Sequence, residues 1–317
     1  MFCSGLGLHG SDLDVYISLT HAAKDRGHGC KNDLLEVKKM LRKHGSKRFR
    51  NSMIVPARVS IVKLVDRNSR TRCDLNLSTR KGVLNTRFIK FCVDFDPRAH
   101  GLLVILKHFA KCHSLSGSGK GGHFSNYSIV LMVIFFLQTQ SILHPLKVLQ
   151  EVPGLKPVFV DGYNFAFCSD LSDLPVLQRN HCSMVDLLLG FFESFASFAF
   201  ESLVISPLTG EQHLKEDMTT TRPGNQTRKI MANFQKPLVI QDPFELRVNT
   251  ARNVYQTRLD RVIQTFVTAA ELLRSLVEND GVEEGAIGMI FEPDFLSFKN
   301  KQVNVQTYRK KDFNKYF

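Results

Sequence analysis

One short segment near the start of the chain restricts the possible fold more than any other. Residues 4–11 hold three glycines, and the following DLDVYIS at residues 12–18 alternates acidic or polar side chains with aliphatic ones. Successive side chains of a β-strand point to opposite faces, so Asp12, Asp14 and Tyr16 would share one face and leave the other apolar. The pattern therefore predicts a strand that lies on a core and presents two carboxylates on its far side.

A third carboxylate occurs in a later segment of similar pattern. Residues 54–65 and 72–77 indicate further strands, and Asp74 lies in the second of them between a cysteine and a leucine. Three carboxylates together can hold two Mg²⁺ ions, about 3.5–4 Å apart, which clamp the attacking and leaving oxygens of a phosphoryl transfer. We therefore take Asp12, Asp14 and Asp74 as candidate catalytic residues and ligands for Mg²⁺ or Mn²⁺. For Asp-x-Asp alone, the alternative is a solvated surface pair.

Positive charge is concentrated in one part of the chain. The formal net charge is +12, and between Lys31 and Arg72 there are 13 Lys and Arg residues against 3 Asp and Glu. Such a block suits a polyanion such as RNA, because Lys and Arg release counterions from phosphates. The alternative is a solvated insert with no nucleic-acid partner, since charge alone does not name a ligand.

The cysteines and the apolar runs argue against two classes of protein. Seven cysteines are scattered without any C-x-x-C pair, which disfavours a disulfide framework or a zinc site and favours a reducing, intracellular compartment. The longest apolar run, Ile129 to Leu137, is too short to span a bilayer and indicates a buried helix. We therefore expect no membrane partner, and the composition leaves the oligomeric state open.

The pattern becomes helical from about Asn85 onward. Asp96-Pro97 has the signature of a helix start, with Asp as N-cap and Pro at the first helical position, and this helix should run to about Lys111. Helices are also predicted over residues 31–44, 125–138, 183–200 and 243–276. Strands early in the chain followed by helices predict the α+β class.

Several of these segments resemble the motifs of one family. The segment from Gly5 to Ile17 resembles the motif of the DNA polymerase β-like nucleotidyltransferases, in their noncanonical poly(A) polymerase and terminal uridylyltransferase branch. Four further motifs resemble that branch in the same order: Cys73-Asp74-Leu75 with Asn85, Asp96-Pro97-Arg98 with the helix to Lys111, Ser125-Asn126-Tyr127, and Gln241-Asp242-Pro243-Phe244-Glu245. The last of them resembles the hallmark of the PAP-associated region.

The resemblance implies a two-domain α+β fold. Residues 1–82 would form a small mixed-sheet nucleotidyltransferase palm, incomplete at its N-terminus, with a basic insert at about residues 20–52. Residues 83–282 would form a helical central, PAP-associated domain, and residues 283–317 a basic C-terminal tail.

The resemblance also implies an enzyme that adds ribonucleotides to RNA 3′ ends without a template. Its partners would be an RNA 3′ end and ATP or UTP, and its cofactor Mg²⁺ or Mn²⁺. Three hypotheses remain open at this point: a poly(A) polymerase that adds AMP, a terminal uridylyltransferase that acts on small RNA, and an inactive RNA-binding fragment of such an enzyme. A small-molecule or protein nucleotidyltransferase is disfavoured, because the PAP-associated motif accompanies RNA-tailing members.

The resemblance implies nucleotide-binding roles for residues in every motif. Lys107 and Lys111 lie one helical turn apart and suit a triphosphate. Tyr127 suits stacking on a base, and Asn85 suits the ribose hydroxyls. The full set of candidates is Gly5, Ser11, Gly82, Asn85, Lys107, Lys111, Asn126, Tyr127, Asp242, Glu245 and Val248 for the nucleotide, with Arg80 and Lys81 for the RNA backbone.

Each of these residue types also has a structural explanation. The two lysines could form an ordinary solvated helix face, the tyrosine could belong to the core, and Asn85 could cap a helix. Asp242 with Glu245 resembles a capping box at the start of the last helix. This explanation weighs as much as contact with a base.

The position of Val248 bears on the choice of base. Uridylyltransferases of the family carry a histidine shortly after the Asp-Pro-Phe-Glu motif, and here Val248 occupies that place. Valine has no hydrogen-bonding group with which to select uracil, and the adenine-adding polymerases also lack the histidine. The resemblance therefore favours ATP over UTP.

Two further expectations concern the N-terminus and the location. The family places a phosphate-binding Gly-Ser pair before the Gly-Leu-Gly turn, and counting back along the motif puts Met1 at that serine. We therefore expect the chain as given to bind nucleotide poorly. Features such as the LSGSG loop at residues 115–119 are most similar to speckle-targeted members and then to mitochondrial ones, which implies the nucleus, with the mitochondrion as alternative.

Overall fold

The computed structural model describes residues 4–8, 10–18, 31–56, 59–117, 121–219, 232–278 and 287–292. The chain divides into two compact units: unit 1 is Met1–Asp94 with Pro157–Phe165, and unit 2 is Phe95–Lys156 with Ala166–Phe317. The domain boundary predicted after Gly82 falls inside a helix that unit 1 contains to Asp94. Of the predicted basic tail, only residues 287–292 are among the described residues.

Among the described residues, the early part of the chain contains a four-stranded sheet and helices, and the later part is mainly helical. The helices are α1 (Lys31–His44), α2 (Lys81–Phe95), α3 (Pro97–Cys112), α4 (Asn126–Thr139), α5 (Leu146–Gln150), α6 (Met184–Ala196) and α7 (Gln256–Glu278). The strands are β1 (Leu13–Tyr16), β2 (Phe49–Val55), β3 (Ile61–Asp66), β4 (Arg72–Asn76), β5 (Ser116–Gly117), β6 (Phe124–Ser125), β7 (Phe159–Val160), β8 (Tyr163–Asn164), β9 (Leu203–Ser206) and β10 (Glu211–Leu214).

Unit 1 is built on a four-stranded sheet in the order β1-β4-β3-β2. β1 runs parallel to β4, whereas β3 is antiparallel to both of its neighbours. Aliphatic side chains of one sheet face, including Val62, Leu64 and Leu75, pack with Leu34 of α1 into a core. Because side chains alternate between faces, the polar residues between them are left on the opposite face. The predicted strand at residues 12–18 and helix at residues 31–44 are confirmed as β1 and α1.

The single strand predicted over residues 54–65 is wrong. β2 ends at Val55, β3 begins at Ile61, and the two strands pair antiparallel. Pro56 follows β2 directly, and a proline nitrogen cannot donate to a strand ladder. The proline therefore accounts for the break that the apolar pattern concealed.

A short hairpin of β7 and β8 belongs to unit 1 although it lies far along the chain. Its turn places Asp161 and Gly162 at φ values of 50° and 80°, the left-handed conformations that two-residue hairpin turns require. Asp161 Oδ2 lies 3.0 Å from Lys81 Nζ at the start of α2. This ion pair joins the hairpin to α2.

Two helices of unit 2, α3 and α4, begin at capping side chains. Asp96 accepts a hydrogen bond from the Arg98 amide at 2.8 Å ahead of Pro97, as predicted. Ser125 accepts one from the Ser128 amide at 3.0 Å at the start of α4. These caps satisfy amides that the first turn of a helix leaves unpaired.

The core of unit 2 surrounds α4. Every residue of α4 from Ser128 to Gln138 is buried, which confirms the predicted buried helix. Aromatic rings pack around it, with the ring centroids of Phe136 and Phe191 separated by 5.6 Å in a T-shaped arrangement. Among the described helices, α4 included, none is long and apolar enough to cross a membrane.

The last helix begins later than predicted. α7 starts at Gln256, whereas the capping-box pattern at Asp242 predicted a start near Pro243. Residues 243–255 form turns instead. The physical reason is that Asp242 caps a tight turn rather than a helix, as its hydrogen bonds show below.

Candidate active site

The three candidate carboxylates lie on one face of the unit 1 sheet. Asp14 and Asp74 are register partners in the parallel pair of β1 and β4, so their side chains leave the sheet on the same side. Asp12 precedes Asp14 by two positions and shares that side. The opposite side carries the core against α1. The expectation that residue 74 shares a face with residues 12 and 14 therefore agrees with the register.

Both burial and the neighbouring negative charges shift the pKa of Asp14. The residue as a whole is exposed, yet desolvation of its carboxyl group raises the pKa of Asp14, and the charges of Asp74 and Asp12 raise it further. The ammonium of Lys63 acts in the opposite direction. A cation placed between the carboxylates would relieve the part of this shift that comes from their mutual repulsion.

Two cations of the same sheet face pair with two of the carboxylates. Lys63 Nζ lies 2.9 and 2.6 Å from the two carboxylate oxygens of Asp74. Arg72 Nε lies 2.5 Å from Asp12 Oδ1, and its Nη2 donates to the Gly10 carbonyl at 3.0 Å. Neither cation was singled out from the sequence. Arg72 is far from Asp12 along the chain, and Lys63 belongs to no motif that contains Asp74.

The donor set and the register fit a divalent cation, whereas the present side-chain positions do not yet form a chelate. Carboxylate oxygens on one face are the ligands that Mg²⁺ and Mn²⁺ take. Within the described residues, no group of three or more His, Cys, Asp or Glu side chains is gathered closely enough to hold a metal ion. Asp74 and Asp12 are instead paired with Lys63 and Arg72.

The turn before β1 is closed by its own serine. The Ser11 hydroxyl accepts a hydrogen bond from the Leu8 amide at 3.0 Å, and the Ser11 amide donates to the Leu8 carbonyl at 2.9 Å. Gly5 and Gly10 adopt φ values of 76° and 78°, which side-chain-bearing residues rarely adopt. The glycines and Ser11 therefore shape the entry to the carboxylate strand.

The start of α2 carries an unpaired acceptor. Asn85 Oδ1 is buried and has no hydrogen-bond partner among the described residues, an arrangement that a ribose hydroxyl would complete. Asn85 is the fifth residue of α2, so its alternative role as N-cap is wrong. Gly82 is exposed, and its carbonyl accepts a hydrogen bond from the Thr86 hydroxyl at 2.8 Å.

The two candidates for RNA contact differ in their surroundings. Arg80 is exposed, and its carbonyl accepts hydrogen bonds from the Val83 and Leu84 amides. The Lys81 side chain is only 15% exposed. Besides its ion pair with the hairpin, its ammonium lies 5.4 Å from the centre of the Tyr163 ring, within cation–π range. Lys81 is thus held by the protein itself, which sequence reasoning did not foresee.

The lysine pair of α3 also divides into a buried and an exposed member. Lys107 is 2% exposed, and burial lowers the pKa of its ammonium to about 8. Lys111 is exposed in the last turn of the helix. The alternative of a solvated helix face is therefore wrong for Lys107, and its buried charge is of the kind that marks binding sites.

Tyr127 lies in the first turn of α4 beside Asp242. Its hydroxyl is buried and makes no hydrogen bond of good geometry within the described residues, although burial and then the nearby Asp242 carboxylate raise the pKa of Tyr127. The neighbouring Ser128 hydroxyl donates to the Thr250 carbonyl at 2.9 Å, which joins this turn to the segment that follows Asp242. Asn126 is exposed at the first helical position.

Asp242 organises a closed turn. Its Oδ1 accepts from the Phe244 and Glu245 amides at 2.9 and 2.8 Å. The Val248 amide donates to the Glu245 carbonyl at 2.8 Å, and the Val248 carbonyl accepts from the Asp242 amide at 2.9 Å. Asp242 is 3% exposed, and burial raises the pKa of its carboxyl group against the lowering effect of these amides. The capping alternative holds in part, because Asp242 caps a turn and not a helix.

Asn249 supports this turn and was missed by sequence reasoning. It is fully buried, and its side-chain amide donates to the Asn233 and Leu238 carbonyls at 3.0 and 2.9 Å. Its oxygen accepts from the Ile240 and Ala251 amides at 3.1 and 2.9 Å. An asparagine between Val248 and Thr250 was the only signal in the sequence, and asparagines are common in turns.

Comparison with known proteins places the chain in a family. The family described as "Poly(A) RNA polymerase, mitochondrial-like, central palm domain" matches residues 2–94, and "Cid1 family poly A polymerase" matches residues 183–247. Protein HESO1 of Arabidopsis thaliana is 27% identical over 294 residues, which cover 88% of this chain and 55% of that protein. The chain belongs to the noncanonical poly(A) polymerase and terminal uridylyltransferase family.

Other members of the family support the assignment over most of the chain. Speckle targeted PIP5K1A-regulated poly(A) polymerase of Xenopus tropicalis is 30% identical over 251 residues, covering 77% of this chain and 29% of that protein. The crystal structure of the Cid1 poly(U) polymerase matches with a TM-score of 0.68 and 27% identity, covering 86% of this chain and 79% of that chain. This chain spans about half or less of the length of the two curated relatives.

The matched regions contain most of the candidate residues. The palm match at residues 2–94 includes the three carboxylates, and the match at residues 183–247 includes Asp242 and Glu245. The α+β architecture, a mixed-sheet palm with a helical PAP-associated region, is therefore shared with noncanonical poly(A) polymerases and terminal uridylyltransferases. The position of Val248 lies just beyond the second match.

Proposed function

We propose that this chain catalyses template-independent addition of nucleotides to RNA 3′ ends. The observation that carries the proposal is the register of β1 and β4, which pairs Asp14 with Asp74 and leaves Asp12 on the same face. Family membership supports the reaction class, since the relatives named above include a poly(A) polymerase and a poly(U) polymerase. The RNA 3′ end and a nucleoside triphosphate are then the substrates.

The cofactor of the proposed reaction is Mg²⁺ or Mn²⁺. Asp12, Asp14 and Asp74 would hold the metal, which would activate the attacking 3′ oxygen and stabilise charge on the leaving pyrophosphate. The Cid1 structure contains Mg with 3′-dATP, which supports a divalent metal in a site of this family.

The other candidates bind and orient the nucleotide. Lys107 and Lys111 would neutralise the triphosphate, and the unpaired Asn85 oxygen would accept a hydrogen bond from a ribose hydroxyl. Tyr127 would stack on the base, with Asp242 and Glu245 near its edge. Gly5, Ser11, Gly82 and Asn126 would shape the phosphate and ribose contacts. Arg80 would follow the RNA backbone, and Lys81 would join it on leaving its ion pair with Asp161.

ATP is the proposed nucleotide, with UTP as the alternative. The side chain of Val248 offers no hydrogen bond to uracil, while both of its backbone groups are used inside the turn. Selectivity is a difference between two affinities, so extension with ATP should exceed extension with UTP when each is supplied alone. Equal or greater extension with UTP would replace this part of the proposal with a terminal uridylyltransferase.

Primer extension tests the proposal directly. Asp12→Asn, Asp14→Asn and Asp74→Asn should each reduce Mn²⁺-dependent extension of a labelled RNA primer to background, because each removes a metal ligand. Asp94→Asn is the matched control, since Asp94 is an exposed carboxylate on α2, and it should retain the activity of the unchanged chain. Extension that survives any of the three changes would contradict the mechanism.

The same assay separates an enzyme from an inactive RNA-binding module. A chain that binds the primer but extends it with no nucleotide, before and after the substitutions, would favour the module.

The proposed location is the nucleus, supported by the speckle-targeted relative, with the mitochondrion as alternative because the palm matches a mitochondrial-like family. Imaging of a tagged copy decides between them.

A further inference from the structure

The ion pair between Lys63 and Asp74 engages the whole carboxylate. Lys63 lies directly opposite Asp74 in the antiparallel pair of β3 and β4, and its Nζ lies 2.9 and 2.6 Å from Oδ1 and Oδ2. The side chain of Asp74 is only 15% exposed. The ammonium therefore contacts both oxygens of a largely buried carboxylate, while the Lys63 side chain itself is 43% exposed.

The second ion pair on this face is of a different kind. Arg72 engages only one oxygen of Asp12, and it shares its guanidinium with the Gly10 carbonyl. The side chains of Arg72 and Asp12 are 64% and 38% exposed. Solvent screens such a pair strongly, so the Lys63 pair is the stronger electrostatic feature of the face.

A divalent cation would need the same oxygens that Lys63 engages. The three carboxylates have the donor chemistry of a metal site, and Asp74 is one of its proposed ligands. An ammonium in the bite of Asp74 blocks those lone pairs and repels a dication at short range.

We propose that Lys63 is a built-in competitor for the metal site, which holds Asp74 until a divalent cation displaces it. The proposal rests on the proposed function in taking Asp12, Asp14 and Asp74 as metal ligands. Lys63 is a positioning residue in this account, because it acts on the reaction through Asp74. The long, flexible lysine side chain is suited to the role, since it releases a carboxylate by rotation without moving β3.

Direct measurement of Mn²⁺ binding tests the competition. The full chain is titrated with Mn²⁺ in the absence of RNA and nucleotide, and free Mn²⁺ is followed by electron paramagnetic resonance. Lys63→Gln removes the charge and keeps a hydrogen-bond donor, and it should bind Mn²⁺ about tenfold more tightly because the short-range repulsion is lost. Lys63→Arg keeps the charge and should bind like the unchanged chain. Arg72→Gln, a more exposed change of the same charge, should have a smaller effect.

Whether Lys63 affects Mn²⁺ binding through Asp74 is tested by combining Lys63→Gln with Asp74→Asn. There the gain from Lys63→Gln should vanish, because the shared carboxylate is gone. Equal or weaker Mn²⁺ binding by folded Lys63→Gln would overturn the proposal, and so would a gain that persists beside Asp74→Asn. Circular dichroism checks the fold, and Lys63→Met provides a second neutral variant if the first is unstable.

The competition and the proposed function fail in different ways. Loss of the competition appears in the Mn²⁺ titrations, which contain neither RNA nor nucleotide. Loss of the proposed function appears as absence of primer extension, whatever the Mn²⁺ affinity. A chain that shows the Lys63 effect but extends no RNA would retain the metal competition and lose the enzyme assignment.

Discussion

At the scale of single residues, burial changes what each charged candidate can do. Lys107 is enclosed on α3, and burial lowers the pKa of its ammonium to about 8. Lys111, one turn later, is exposed to solvent. Helical spacing alone gave no reason to distinguish the two lysines, whereas the packing of α3 encloses Lys107 and leaves Lys111 exposed. A triphosphate that meets the desolvated ammonium gains more from the contact than it would at the surface.

Nucleotide binding should therefore take up a proton near pH 8. The phosphates favour the charged form and raise the pKa of Lys107 from about 8, so nucleotide affinity should fall as the pH rises through that value. Isothermal titration calorimetry of an ATP analogue in two buffers of different ionisation enthalpy measures the uptake. Lys107→Met should abolish it and Lys111→Met should preserve it. Undiminished uptake in Lys107→Met would refute the assignment.

The same shift has a defined sign for stability. In the unfolded chain the lysine pKa is near 10.5, so between about pH 8 and 10.5 the unfolded state binds more protons than the folded state. The cost of burying the charge is present in full below about pH 8 and disappears as the pH rises toward 10.5. Lys107→Met should thus raise the free energy of unfolding most at neutral pH.

At the scale of elements, a capping pattern predicted the start of one helix correctly and the start of another wrongly. The start of α3 at Asp96-Pro97 was predictable because capping depends on adjacent residues alone. The same logic at Asp242 misplaced the start of α7, since an aspartate can cap a turn with the same side-chain geometry. Asn249 decides between the two outcomes by holding four backbone groups on both sides of the turn.

Asn249 should accordingly be a strong determinant of stability. Asn249→Ala leaves several buried amides and carbonyls unpaired, and it should lower the free energy of unfolding by about 3 kcal/mol. Arg252→Ala, at an exposed position of the same segment, should change it by less than about 0.5 kcal/mol. Urea denaturation followed by circular dichroism measures both, and similar small losses in the two variants would show that the turn does not depend on Asn249.

At the scale of the whole molecule, function depends on pairs that are far apart in sequence. The motif resemblance predicted the mixed α+β class, which the structure has, and singled out Asp12, Asp14 and Asp74 as candidates. It could not identify Lys63 as the partner of Asp74, because that contact follows from the β3–β4 register. Nor could it foresee that Lys81 would pair with a hairpin from residues 157–165. Sequence patterns indicate which residues have suitable chemistry. Long-range pairing determines which of those side chains are free to bind a ligand.

The central claim is that these three carboxylates bind the metals of a nucleotidyl transfer. Crystals grown with Mn²⁺ and a non-hydrolysable ATP analogue, measured at the manganese absorption edge, locate each metal by its anomalous scattering. The account predicts two peaks about 3.5–4 Å apart in contact with Asp12, Asp14 and Asp74, with Lys63 turned away from Asp74. Manganese bound elsewhere, with all three carboxylates bare, would contradict it.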